Sequence, residues 1–286
     1  MAFGYYFVPI PGLSFKQYFL YNSALFSGEM GTVLAFVMAT VVLAVGVFRS
    51  RAFLISAISK AHAKDDLSKF FSPEVVERII SSEEQIRLGQ GEVRNAVTMS
   101  VDLRGFSKLS ERVPVSDLML LLAEYQSLAA GCIIRNTGSI DKFLGDGILA
   151  HFGAAAKSER YAVDALETVF ALDSELNSWN DMRRKEGSAE LEFGIALAVG
   201  DVVFGAVGYE ERLEFTVIGD SVNLSAQLEK HTKLLQVKSL CTLETLEKAR
   251  RQGFELPHEV RTLEAQKVDG VDTPIDLVVL LERDRK

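Results

Sequence analysis

Residues 140–152 read Ile140-Asp141-Lys142-Phe143-Leu144-Gly145-Asp146-Gly147-Ile148-Leu149-Ala150-His151-Phe152, or IDKFLGDGILAHF. Two short apolar runs flank Gly-Asp-Gly, the composition of a β-hairpin with its turn at Asp146. Aspartate is a favoured turn residue because its short side chain bonds its own backbone. A lysine inside the first run is less expected. Asp146 is therefore either a turn residue or a residue placed for its charge.

The segments around the hairpin set its place in a fold. Residues 95–102 (NAVTMSVD) are β-branched and apolar and predict a buried strand ending on Asp102. Residues 116–138 (SDLMLLLAEYQSLAAGCIIRNTG) predict a helix with an N-cap serine and a glycine stop at Gly138. After the hairpin, residues 159–185 form a second amphipathic pattern, and residues 191–208 (LEFGIALAVGDVVFGAVG) read as strand, turn, strand. LEFTVIG (213–219) is strand-like, DSVNLSAQLEKHTKLL (220–235) starts a helix, and PIDLVVLL (274–281) adds a late strand. The order β-α-β-β-α-β is that of a ferredoxin-like α+β sheet with helices on one face.

In that order the first strand lies beside the hairpin, so Asp102 and Asp146 share one edge of the sheet. Two converging carboxylates make a hard-oxygen site suited to Mg²⁺ or Mn²⁺ and completed by phosphate oxygens. Singly, each has a plain alternative: Asp102 as cap of the turn at Arg104-Gly105, Asp146 as a turn residue.

Bulk properties narrow the function classes. The 286 residues carry a formal charge of −8, which excludes a nucleic-acid backbone as partner because such binding needs a positive field. The two cysteines, Cys132 and Cys241, lack CxxC spacing, which favours a reducing compartment without a disulfide framework. Four histidines without HxxxH or HExxH spacing give no support to a zinc site.

The hydrophobic content of 48% is high for a soluble globule, and its source is local. Residues 31–48 (GTVLAFVMATVVLAVGVF) are uncharged and long enough to cross a bilayer as a helix. Arg49, Arg51, Lys60, Lys64 and Lys69 follow, whereas the first thirty residues carry only Lys16, so the positive-inside bias places the carboxyl side in the cytoplasm. Residues 1–30 are aromatic and proline-broken. Residues 49–92 show helical spacing in two stretches, with Pro73 at a first-turn position. They read as a simple tether or as a helical signalling linker that pairs with its twin. From residue 93 to 286 the texture becomes that of the α+β domain.

Three motifs, VDLRGFSKLSE, KFLGDGILAHFG and FTVIGDSVNLSAQLE, resemble in order and spacing the catalytic domain of class III adenylyl/guanylyl cyclases, over about Ser72 to Leu281. The stretch SKFFSPEVVERI resembles the element that often precedes such domains in bacterial membrane cyclases. The resemblance implies that Asp102 and Asp146 bind two metal ions, Mg²⁺ or Mn²⁺. It implies that Lys142 and Thr216 read the base and that Asn223 orients the ribose region. A lysine ammonium donates to adenine N1 and a threonine hydroxyl accepts from the N6 amino group, which favours ATP. The implied reaction is attack of the ribose 3′-oxygen on the α-phosphorus, giving 3′,5′-cyclic AMP and pyrophosphate. In the family one subunit supplies the metal pair and the other the base-reading residues, which implies a homodimer.

Two positions depart from the family pattern. Gln227 stands where an arginine usually stabilises the reacting phosphate, and Asp269 precedes Gly270 where a lysine is frequent, with Lys267 displaced by two. Arg212 is either a substitute source of positive charge or a solvated strand residue. The leading expectation is a membrane-anchored, homodimeric adenylyl cyclase. The alternative is a catalytically weak cyclase-like module for dimerisation or nucleotide sensing.

Overall fold

The computed structural model describes residues 91–209 and 212–283, together with residues 30–51 and a few single positions before residue 90. The rest of the expected aromatic segment (1–30) and of the linker (49–92) lies outside the described residues. Helix α1, Met30–Arg51, is 22 residues long with a mean hydropathy of 2.4 over its most apolar stretch and no buried residue there. It is long and apolar enough to cross a membrane. It belongs to a unit of residues 1–66, separate from the unit of residues 67–286.

The second unit follows the expected order. Strand β1 (Gly91–Arg104) leads through the short α2 (Phe106–Ser110) to α3 (Val115–Arg135). The hairpin β2 (Ser139–Leu144) and β3 (Gly147–Phe152) precedes α4 (Tyr161–Lys185). Then come β4 (Glu192–Tyr209), β5 (Arg212–Ile218), α5 (Asp220–Leu235), β6 (Val237–Thr242), α6 (Leu243–Arg251), β7 (Arg261–Gln266) and β8 (Ile275–Glu282). The sheet runs β2-β3-β1-β4-β6-β8-β7, with β5 paired to the distal half of β4.

Strand alternation divides the apolar residues between two faces. Val97, Met99, Val101 and Leu103 of β1 join Ile195, Leu197 and Val199 of β4 in the core beneath α3 and α4. Leu166 and Leu172 of α4 and Tyr125 of α3 fill that core. Helices α3, α4 and α6 lie on this face, as the βαββαβ order predicts for the first two. Helix α5 covers the opposite face, where Leu228 packs with Ala196, Leu240 and Val279. Polar groups register it there: Thr98 Oγ1 donates to the Ser221 carbonyl at 2.8 Å, and Ser100 and Ser225 share a hydrogen bond of 2.9 Å.

Two local expectations are corrected. Residues 192–209 form one strand, not strand-turn-strand, because β1 pairs with β4 without a break from Gly91↔Gly205 to Arg104↔Glu192. Gly200 breaks the apolar pattern to admit α5: a Cβ there would stand 3.0 Å from Ser221 Cβ. Asp201 accepts from Asn95 Nδ2 across the pair at 2.8 Å. Helix α3 begins at Val115 after Pro114, so Ser116 makes no cap. Its stop places Thr137, not Gly138, in the left-handed region with φ 65°. Gly138 serves close approach instead, since a Cβ would fall 2.6–2.7 Å from Ile133 and Phe152.

Candidate active site

The hairpin turn and the end of β1 meet as the strand order requires. β3 pairs antiparallel with β1 through Val101↔Ile148, which carries Asp102 to the turn at Gly145-Asp146-Gly147. A Cβ on Gly147 would lie 3.3 Å from the Leu144 carbonyl oxygen and 3.6 Å from Asp102 Oδ1, so the turn stands directly beside the carboxylate. Gly145 takes φ 68°, a left-handed conformation that glycine adopts without strain, and its carbonyl accepts from Gln126 Nε2 at 3.0 Å. The turn is thereby fixed to α3.

The two carboxylates feel one another. Burial, followed by the negative charge of Asp102, pushes the Asp146 carboxyl above its ordinary range. Lys233, in the last turn of α5, places its ammonium 2.9 Å from Asp102 Oδ2 and 3.7 Å from Glu229 Oε1. Burial opposes the charge on Lys233, but the bond to Asp102 and the charge of Glu229 outweigh it and hold the amine above its usual value. Glu229 is itself buried, its carboxyl is raised first by burial and then by Asp102, and its Oε1 has no hydrogen-bond partner. The Asp102 and Asp146 carboxylates, one of them already bonded to an ammonium, are a fitting donor set for a divalent cation. Among the described residues no cluster of three or more His, Cys, Asp or Glu side chains is arranged for a metal ion.

Lys142 and Thr216 meet in a second place. Strand β2 carries a β-bulge: Ile140 pairs with Ala150 and Lys142 with Leu149, leaving Asp141 without a partner on β3. The bulge turns Asp141 toward β5, where Oδ2 accepts from Thr216 Oγ1 at 2.8 Å and Oδ1 from the Val217 amide at 3.0 Å. Lys142 Nζ stands 3.6 Å from Asp141 and 3.5 Å from Glu214. The Asp141 side chain is only 1% exposed. Burial raises its carboxyl above the ordinary range, against the hydrogen bonds from Thr216 and Val217 and the charge of Lys142.

The other expected residues lie on α5 and at the start of β5. Asn223 is exposed on the first turns of α5, and Gln227 follows one helical turn later, half-buried. Gln227 packs beside Gly270, where a Cβ would stand 3.2 Å from its Nε2, so the glycine that follows Asp269 leaves room for the Gln227 amide. Gly270 has φ 75°. Arg212 is exposed at the first position of β5, opposite Tyr209, on the same strand face as Glu214 and Thr216. Among the described residues it is paired with neither Asp102 nor Asp146.

Asp141, Glu214, Glu229 and Lys233 escaped the sequence reading. Asp141 left a signal, a charge inside an apolar strand run beside another charge. Glu229 and Lys233 left none, since acidic and basic residues four apart on a helix ordinarily form a solvated pair.

Against known proteins, residues 90–270 match the family described as the adenylate and guanylate cyclase catalytic domain. The chain is 31% identical over 146 residues to Adenylate cyclase 1 of Rhizobium meliloti, which covers 51% of this chain and 22% of that protein. It is 31% identical over 154 residues to an adenylate cyclase of Anabaena cylindrica, covering 52% and 30%. The matched region is thus less than a third of the length of these relatives. Among solved structures, the guanylyl cyclase Cya2 superposes with a TM-score of 0.59 at 29% identity, covering 66% of this chain and 92% of that one. The adenylyl cyclase CyaB of P. aeruginosa gives 0.59 at 24% identity, covering 69% and 97%.

Proposed function

The chain belongs to the adenylate and guanylate cyclase catalytic domain family, and from that premise we propose that it is a membrane-anchored, homodimeric adenylyl cyclase making 3′,5′-cyclic AMP and pyrophosphate from ATP. The observation that carries the choice of nucleotide is the meeting of Lys142 and Thr216 at Asp141. A lysine ammonium only donates, so it complements adenine N1 and opposes the N1–H of guanine. The Thr216 hydroxyl complements the adenine N6 amino group.

The division of one protomer into two clusters supports a twofold arrangement. Asp102 and Asp146 would serve the phosphates of one substrate, while Lys142 and Thr216 of the same protomer would read the base of the other. Residues that share these strands are apolar and exposed: Phe143 at 47%, Leu144 at 60% and Ile218 at 54%. Their burial between two copies would favour the dimer.

Asp102 and Asp146 would hold Mg²⁺ or Mn²⁺, which when bound lowers the pKa of the ribose 3′-hydroxyl and neutralises the triphosphate. Asn223, exposed near the start of α5, would orient the ribose. Gln227 would offer the reacting phosphate an uncharged donor, and Arg212 the remaining positive charge. Removing one preorganised contact to a reacting phosphate lowers turnover by about 10²–10³-fold. A slow enzyme is the expected result. Helix α1 would anchor the chain, with the domain of residues 93–286 in the cytoplasm and residues 49–92 as the signalling linker.

The test is to incubate the full chain in detergent with ATP or GTP and Mn²⁺ or Mg²⁺, and to quantify both cyclic nucleotides. Slow formation of cyclic AMP is expected, with Gln227→Arg faster by ten-fold or more. No cyclic AMP from the parent, with activity appearing only in Gln227→Arg, would instead favour the catalytically weak module. Equal rates on both nucleotides would refute the roles given to Lys142 and Thr216.

A further inference from the structure

We propose that Asp141 is a positioning residue for nucleobase choice, locking the Thr216 hydroxyl as a hydrogen-bond acceptor toward the base. The inference rests on Lys142 and Thr216 being the base-reading pair. It adds a third residue that sets the polarity of the second.

The geometry is specific. A threonine hydroxyl has one proton and two lone pairs, and rotates to suit its partners. On its own it accepts from an adenine amino group or donates to a guanine O6 with equal ease. Here that freedom is removed. Asp141 Oδ2 lies 2.8 Å from Thr216 Oγ1, and an ionised carboxylate has no proton to give. The threonine proton is therefore spent on Asp141, and only lone pairs remain for a ligand.

The carboxylate is held in that orientation. Its Oδ1 accepts from the Val217 amide at 3.0 Å, so the backbone of β5 fixes one oxygen and leaves the other for Thr216. The bulge at Asp141 exists in the β2–β3 ladder only where this contact is made. A side chain 1% exposed makes no water-mediated substitute for it. Lys142 supplies the donor and Thr216 the acceptor, the pattern that adenine presents in reverse. Guanine would meet donor against donor at N1 and acceptor against acceptor at O6.

Asp141→Asn reverses the lock while keeping the shape. The Val217 amide requires the amide oxygen of the asparagine, which turns its NH₂ toward Thr216. The hydroxyl must then accept from Asn and donate outward, matching guanine O6. Asp141→Ala only releases the hydroxyl, so it relaxes the choice without reversing it.

The experiment measures kcat/KM for ATP and for GTP with Mn²⁺ on the full chain and on both variants. The expected ATP-to-GTP ratio falls in the order parent, Asp141→Ala, Asp141→Asn, with a total change of about 10–100-fold from one mismatched buried hydrogen bond. Equal losses on both nucleotides, with the ratio unchanged, would mean that Asp141 merely supports the fold and would overturn the proposal. If the parent makes no cyclic nucleotide, the cyclase reading fails by itself. The same ratio is then read from competition of ATP and GTP against a fluorescent ATP analogue. Should Asp141→Asn not fold, Thr216→Val removes the hydroxyl and keeps the shape; the ratio should drop toward parity, and an unchanged ratio again overturns the proposal.

Discussion

Lys233 reaches across from α5 to place its ammonium 2.9 Å from Asp102 Oδ2, where an aspartate expected to hold a metal ion has a lysine as its nearest cation. The two positive partners compete for one carboxylate. A Lys233→Met chain should therefore reach half-saturation at about 2–5-fold lower Mn²⁺. The effect is modest because Lys233 is 46% exposed and its pair is partly screened. The readout is the Mn²⁺ concentration that half-maximally raises the melting temperature, without nucleotide. An unchanged requirement would mean that Lys233 does not compete with the ion, and a higher one that it assists the site.

Asp146→Asn should separate function from stability. Its carboxyl is raised by burial and by Asp102, so its charged form is disfavoured in the folded protein relative to the unfolded chain. A group of this kind adds stability below the unfolded pKa and loses it as pH rises through the folded value. At pH 7 without divalent ions, the neutral amide should leave the melting temperature equal or higher. Cyclic AMP formation should fall by at least 100-fold, and the stabilisation by Mn²⁺ should disappear. A large drop in melting temperature would show that Asp146 is a turn residue after all.

His151 contributes to the acid limb of stability. It is 2% exposed in β3, packs edge-on to Phe204 at 5.7 Å, and its Nδ1 has no hydrogen-bond partner. Burial lowers its pKa to about 4. The folded value lies below the unfolded one, so the unfolded chain binds more protons between pH 4 and about 6.5. Stability is complete above that window and is lost as pH falls through it. Urea unfolding of the parent should lose about 2 kcal/mol between pH 7 and pH 5 from this group. In His151→Leu that slope should flatten, whereas an unchanged slope would assign the acid limb to other residues.

The legible and illegible parts of this protein differ in the range of the forces behind them. Residues 31–48 are apolar all round, and that alone makes a helix too long and greasy for a small core; the helix runs from Met30 to Arg51. The order of strands and helices from residue 91 onward was readable because each element carries its own period of apolar residues. The meeting of Asp102 and Asp146 followed from that order, since antiparallel pairing of β3 with β1 brings the strand end to the turn.

Where a residue's role depends on a partner distant in sequence, the local pattern was silent or misleading. Gly200-Asp201 looks like a turn, yet the unbroken pairing with β1 carries the strand through it and α5 explains the glycine. Helix α5 covers the second face because β1 and β4 present Thr98, Ser100 and Ala196 there.

The sequence by itself determined the α+β order and the apolar helix, and through that order the approach of Asp102 to the turn at Asp146. Tertiary structure alone decided that Asp141 leaves the β2–β3 ladder to bind Thr216, and that Lys233 and Glu229 come to lie beside Asp102. Apolar periodicity is written along the chain and acts over a few residues. A bulge, a hydroxyl's polarity and a carboxylate's counter-ion are set by atoms brought together from 75 or 131 residues away.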